Sequence, residues 1–548
     1  MIMMRRESRI LRKGVQLMGV LRRAASAVLL NLIISTAAYA AAFNYAGSTS
    51  PLTFDPHSTN DFVTASLVRQ VYDTVVGLGP DMQLQPGIAI EWKYLGGNRW
   101  RFVLRRGATF HDGTPVTATD VAFSIKRQAT SPLYSAMFGG IKETTVVDPG
   151  TVDVVSSGPD PILPVKMTRL FVMSKTWSEQ HNLAKVPNLG AQGSEAYSLR
   201  HENGSGPMVL VSQEPNVKTE FRRNDKWWGT SHGNVTQATY RVIASGPTRL
   251  AALLSGELDL ITDMPLQDVD RVKSNPAFHV ETGPQRLFME LEMDGSRTQA
   301  LDTTDKNGQS MAQNPFRNVL VRRAIALGID DPMLVKKIMR GNAYVIGTAT
   351  AQGFSGYQKS LDVHWPYDPA QARALLAQAG YPNGFRTTLN CPLERYVNAE
   401  ETCQAIANML ARIGIDVKVN GMPWPKFARM LVNGPSSSFH LIGAAGNSGD
   451  AQDTFVTVMA TRDPKRGRGL QNWALWSNPE FDAVTDELVN TFDPAQRTAL
   501  YQKGLAIGKD QVHAVYLYQP ALAWAMKRSV EIPVRADSTV VLENVQLH

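Results

Sequence analysis

Residues 99–104 (RWRFVL) alternate with a period of two: Trp100, Phe102 and Leu104 share one face, and Arg99, Arg101 and Arg105 lie on the other. This predicts a half-buried strand, broken by Gly107 and followed by the turn residues His111-Asp112-Gly113-Thr114-Pro115. Thr117 or Thr119 can then cap a helix bearing Val121, Phe123 and Ile125. Upstream, Phe43-Asn44-Tyr45-Ala46 reads as a short strand, and Asp61 caps a helix with Phe62, Val68 and Val71 at helical spacing. Downstream, a hairpin turns at Asp148-Pro149-Gly150, and a helix with Pro247 in its first turn stops at Gly256. Asp368 caps a helix ending at Gly380; strand 387–390, helix 399–413 and strand 415–420 then form a βαβ unit. A strand at 439–443, helices from Glu480 and Pro494, and strands at 515–518 and 521–526 complete an α/β pattern.

At 548 residues the chain exceeds what one core serves, so two or three domains are expected. The formal charge of +7 suggests a polyanion partner until it is located. Residues 1–40 carry seven Lys/Arg and one acid, and the remainder holds 49 basic and 48 acidic residues. The basic balance is that of a leader, and nucleic-acid binding is not expected. Arg22-Arg23, the apolar run 24–35 and the small-residue site Ala38-Tyr39-Ala40 have the three parts of a secretory signal, placing the mature start near Ala41. The apolar run falls short of the roughly 20 residues of a membrane span, and no cysteine follows it to carry lipid. Export puts Cys391 and Cys403 in an oxidising compartment, where they are expected to pair, the alternative being two buried thiols. No histidine pair has zinc-ligand spacing, and neither a metal site nor a cofactor is expected.

Residues 110–124 (FHDGTPVTATDVAFS) closely resemble a signature of the family 5 extracellular solute-binding proteins of ABC importers, which include dipeptide and oligopeptide receptors. Further strings agree: Gly204-Ser205-Gly206-Pro207-Met208, the segment 217–228, Ser255-Gly256-Glu257-Leu258-Asp259-Leu260, and 314–330 (NPFRNVLVRRAIALGID). The resemblance implies an α/β clamshell of the type II periplasmic-binding-protein kind, two lobes plus an extra subdomain. Residues 41–80, 200–290 and 510–548 would form lobe I, 81–199 the subdomain, and 291–509 lobe II. It also implies a periplasmic receptor that hands a small solute to an inner-membrane ABC permease complex; a monomer is expected, and with no cysteine after the apolar run no lipid anchor is expected.

In the dipeptide receptors an Asp meets the peptide ammonium and an Arg its carboxylate. Arg395 is the positional match for the Arg; its other reading is a solvated loop arginine. In the loop 443–450, Asn447 stands where the family has the Asp. Losing that charge forfeits about 1–2 kcal/mol unless Asp450 or Asp453 takes over or the solute lacks a free amino terminus. Trp424 and Trp473 are candidate pocket walls, with core packing as the alternative.

Peptides are therefore the expected cargo, with nickel complexes, opines or oligosaccharides as alternatives on the same scaffold. A secreted hydrolase would need a GxSxG elbow, an HExxH helix or a Cys–His pair, and the sequence has none. His111-Asp112 resembles a dyad but lies in a tight turn, so an enzyme is not expected.

Overall fold

Caps and turns start the elements where the sequence placed them. In the computed structural model, which describes residues 41–59, 61–131, 133–187, 196–393, 395–432, 436–446 and 448–548, the chain enters as β1 (Ala42–Gly47). The predicted secretory segment lies outside the described residues. Asp61 then caps α1 (Phe62–Val71), its carboxylate accepting from the Thr64 N–H at 2.8 Å.

The stretch 99–127 folds as its alternation dictates. Strands β2 (Ala89–Gly96) and β3 (Arg99–Leu104) are followed by α2 (Ala118–Ala129), β4 (Ile141–Asp148) and β5 (Thr151–Ser156). They make a four-stranded antiparallel sheet in the order β2-β3-β5-β4. Phe102, Leu104, Val152 and Val154 point into a core closed by Val121 and Ile125 of α2. On the opposite face Arg99 and Arg101 pair with Asp153 at 3.3 and 2.8 Å. Of the two possible caps it is Thr117 that serves: the Asp120 carboxylate accepts from its N–H at 3.0 Å and from its hydroxyl at 2.7 Å.

The turn at Gly113 needs a left-handed backbone, φ +88°, which glycine adopts freely. It presents His111 to a neighbouring loop, with Nδ1 2.8 Å from Glu202 Oε2 and Nε2 3.1 Å from the Gly206 carbonyl. Burial works against the imidazolium, but the Glu202 carboxylate and the carbonyl outweigh it and raise the pKa. His111 is thus a clasp between the turn and the glycine-rich loop.

The larger sheet draws on β6 (Met208–Glu214), β7 (Lys218–Arg223), β8 (Gln237–Val242), β9 (Leu260–Ile261), β10 (Phe278–Pro284), β11 (Phe288–Met293) and β12 (Ala343–Val345). It is completed by β13 (Phe385–Leu393), β14 (Ile415–Pro423), β15 (Phe439–Ala444) and β16 (Ala514–Lys527). The order is β14-β13-β15-β11-β16-β9-β1-β8-β7-β6, with β10 and β12 also pairing with β16. One continuous strand therefore stands where two were expected. Proline argues against a strand interior, but Pro520 sits where β16 changes partner: Tyr518 faces Met289 of β11 and Ala521 faces Pro284 of β10. The Pro520 carbonyl still accepts from the Gln285 N–H at 2.9 Å.

Two separate cores mark two halves of this sheet. Phe43, Tyr45, Val68, Phe221, Trp524 and Met526 pack in one, and Leu291, Phe316, Ile325, Phe385, Leu389 and Leu517 in the other. β16 supplies both, and together with the β10–β11 crossover it joins the halves. The second half carries the βαβ unit of β13, α3 (Ala399–Ala411) and β14, then α4 (Trp424–Val432), α5 (Pro479–Asn490) and α6 (Pro494–Asp510). A buried ion pair locks α2 to the first half: Arg127 donates to both Asp55 oxygens at 2.9 and 2.5 Å. Among the described residues no helix is long and apolar enough to cross a membrane.

Candidate functional site

Ligands of open α/β sheets bind outside the carboxyl ends of parallel strands. In the second half, β13 runs parallel to β14 from Phe385↔Ile415 to Leu393↔Pro423, and parallel to β15 at Asn390↔His440. Their carboxyl ends deliver Arg395, Trp424 and the loop after Ala444. The Arg395 guanidinium lies 5.2 Å from the Trp424 ring centre and 5.4 Å from that of Tyr396. Tyr396 meets Trp424 edge-on at 6.2 Å and donates to the Gly443 carbonyl at 3.3 Å. Arg395 is exposed and has no carboxylate within 4 Å among the described residues. Such a cation over aromatic faces is held by about 0.5–1 kcal/mol and remains available to an anion.

Trp473 packs on the same apolar cluster as Trp424. With Trp424 and Met430 it packs on Met422, Phe427, Leu431 and Ile442, and Arg462 lies 5.5 Å from its ring. Asp450 stands apart. Buried at 3% exposure, it accepts from the Gln452 N–H at 2.8 Å and the Tyr501 hydroxyl at 2.6 Å, with Arg497 Nη2 at 3.7 Å. Its charge is engaged in capping a helical turn. Asn447 lies outside the described residues. Cys391, at the end of β13, and Cys403, on α3, have sulfurs 2.16 Å apart and Cα atoms 6.4 Å apart, tying the strand that leads to Arg395 to its helix.

The first half has a corresponding edge, where β1 runs parallel to β9 through Tyr45↔Leu260 and Ala46↔Ile261. Beyond Ile261 comes Asp263, exposed and at φ +52°, a left-handed backbone that is uncommon for a residue other than glycine. Its carboxylate accepts from the Ser48 hydroxyl at 3.0 Å and has no cationic partner within 4 Å among the described residues. Beside this edge is a cavity of about 140 Å³ lined by Tyr45, Tyr240, Asp263, Gln285, Leu522 and Trp524, among others.

At the crossover between the halves sits Arg286, 7% exposed, whose guanidinium lies against Gly449 of the β15 loop. Gly449 is left-handed, φ +81°, and a Cβ there would come within 2.3 Å of Arg286 Nη1. Burial, and after it Arg169, lower the Arg286 pKa to about 10 against the pull of Asp537. Burial opposes the Asp537 carboxylate, yet Arg535 (2.8 Å), Arg69 and Arg286 hold its pKa far below the usual range. Sequence reasoning missed Asp263, Arg286 and Asp537. Two of these had a local signal: a charge two residues past a short parallel strand, and an arginine in the three-residue link between β10 and β11.

Two α/β halves joined by shared strands, with an added antiparallel sheet, make the periplasmic-binding-protein clamshell fold. The fold matches DppA of Helicobacter pylori in complex with the peptide STSA (TM-score 0.71, 23% identity, 92% of this chain and 98% of that one). It also matches AgaA of A. tumefaciens R10 in complex with agropinic acid (TM-score 0.71, 22% identity, 92% and 99%). The chain belongs to the bacterial extracellular solute-binding proteins, family 5, whose middle region matches residues 83–465. A curated relative, the glutathione-binding protein GsiB of Shigella flexneri, is 26% identical over 466 residues, 82% of this chain and 83% of its own length.

Proposed function

We propose that this protein is the periplasmic receptor of an ABC importer and that it captures small peptides between its two halves. In this reading residues 1–40 are a cleaved leader; lobe I is 41–80, 200–290 and 510–548; the subdomain is 81–199; and lobe II is 291–509. One observation carries it: Asp263, whose carboxylate has a hydroxyl partner in Ser48 but no salt bridge among the described residues, and Arg395, likewise without one, stand at the strand ends of the two halves. A zwitterion supplies an ammonium for the first and a carboxylate for the second, both through charge-assisted hydrogen bonds. Asp263 thereby takes the role that Asn447 is not charged to fill, and Asp450 is left out because its carboxylate is already engaged. Trp424, Tyr396 and Trp473 form the wall behind the ligand. Closure follows from the tighter grip of the shut form, and the shut receptor docks on the permease as a monomer.

The test is calorimetry of the purified protein against dipeptides, longer peptides, an opine, a nickel chelate and a sugar. Peptides should bind saturably without turnover, and Arg395→Ala and Asp263→Asn should each weaken them about tenfold or more, as for the loss of a charged hydrogen bond. Binding of the opine or chelate with none of the peptides would transfer the assignment to a non-peptide solute, in keeping with the agropinic acid held by AgaA.

A further inference from the structure

A second feature of the first half bears on which peptides are taken. The cavity of about 140 Å³ beside Asp263 is bounded by Tyr45, Leu67, Tyr240, Trp524 and Val540, each no more than 4% exposed. These walls are packed on their outer sides, so they keep their shape. Well-packed interiors leave few voids larger than a water molecule, and an apolar cavity of about 150 Å³ holds benzene. The space is thus ring-sized. Among the described residues the buried Tyr45 hydroxyl has no hydrogen-bond partner, whereas the neighbouring Tyr240 hydroxyl donates to the Thr49 carbonyl at 2.7 Å. Asp263 and Gln285, the latter from the crossover, line the same cavity. It therefore adjoins both the carboxylate assigned to the ammonium and the hinge.

We infer that this cavity is a side-chain pocket for the amino-terminal residue of the bound peptide, selecting a branched apolar or aromatic group. The inference rests on the peptide reading above. Calorimetry of the full chain with Gly-Ala, Leu-Ala and Phe-Ala tests it. Leu-Ala and Phe-Ala should bind at least tenfold more tightly than Gly-Ala, and acetylating the Phe-Ala amino group should cost at least tenfold. Ser66→Phe, which fills the pocket from α1, should lower Phe-Ala affinity at least tenfold more than it lowers Gly-Ala affinity. Should that variant misfold, Leu67→Ala enlarges the pocket and should move the preference from Phe-Ala towards Trp-Ala. Equal affinities for the three dipeptides, or equal losses in Ser66→Phe, overturn the pocket and leave the peptide reading standing. No binding of any of them overturns both.

Discussion

Phe492, in the turn between α5 and α6, stacks on Tyr94 of β2 with ring centres 3.9 Å apart and planes 16° from parallel. Trp100 of β3 stands 6.3 Å from the same ring. These contacts join the four-stranded sheet directly to the second half. Phe492→Ala removes a stacked pair that contributes about 1 kcal/mol, plus about 1 kcal/mol for a half-buried ring. If the contact forms only when the clamshell shuts, the whole of that sum falls on the closing equilibrium. Affinity for every ligand should then drop together, by up to about 30-fold. Calorimetry gives the affinities, and small-angle scattering shows whether the liganded form remains as compact. A double-mutant cycle with Tyr94→Ala should return a coupling of about 1 kcal/mol. Unchanged affinity, with a lowered melting temperature in the ligand-free protein, would refute the reasoning, because the contact would then persist in the open form.

Arg395→Ala should weaken ligand and leave the melting temperature within about 1 °C, since an exposed cation–π contact contributes under about 1 kcal/mol. Asp537→Asn leaves Arg535 and its neighbours without their anion and should destabilise by about 3–5 kcal/mol in urea titration. Because the Asp537 pKa is depressed in the fold, the stability it confers is present above the unfolded value near 4 and lost on acidification below it. Asp73 runs the other way: burial raises its pKa to about 6 despite hydrogen bonds from Trp228 and Ser205. Its contribution is complete below about pH 4 and lost as pH rises through about 6, and Asp73→Asn should flatten that limb of the stability profile. Reducing the Cys391–Cys403 bond should remove about 3 kcal/mol, the loop-closure value for a separation of 12 residues, read as a drop in melting temperature with dithiothreitol.

Much of the fold was legible because local chemistry and tertiary structure agree. Alternation at 99–104, the Thr117 cap and the left-handed Gly113 each fix an element without distant help. The positions of Arg395 and Trp424 were also legible, since a βαβ unit places whatever follows its strands at the carboxyl edge of the sheet. Asp450 shows the limit: its place in a glycine-rich loop looks like a ligand's, but Tyr501, fifty-one residues on, claims the carboxylate. Pro520 shows another, because a strand that changes partner tolerates a residue that a uniform ladder would reject. Asp263 and Arg286 owe their position to pairings across more than two hundred residues, to which no local period is sensitive.

The last long strand, Ala514–Lys527, also constrains the order of events in the chain's life. Leu260 pairs with Met526, and the whole of β10 pairs with residues 521–527. A nascent chain released as far as residue 510 carries an unfinished sheet, whose missing rung is still being made. The free edge of β9 and the whole of β10 must therefore wait for the carboxyl terminus to emerge, so the sheet of the first half is completed only when nearly the entire chain has been made.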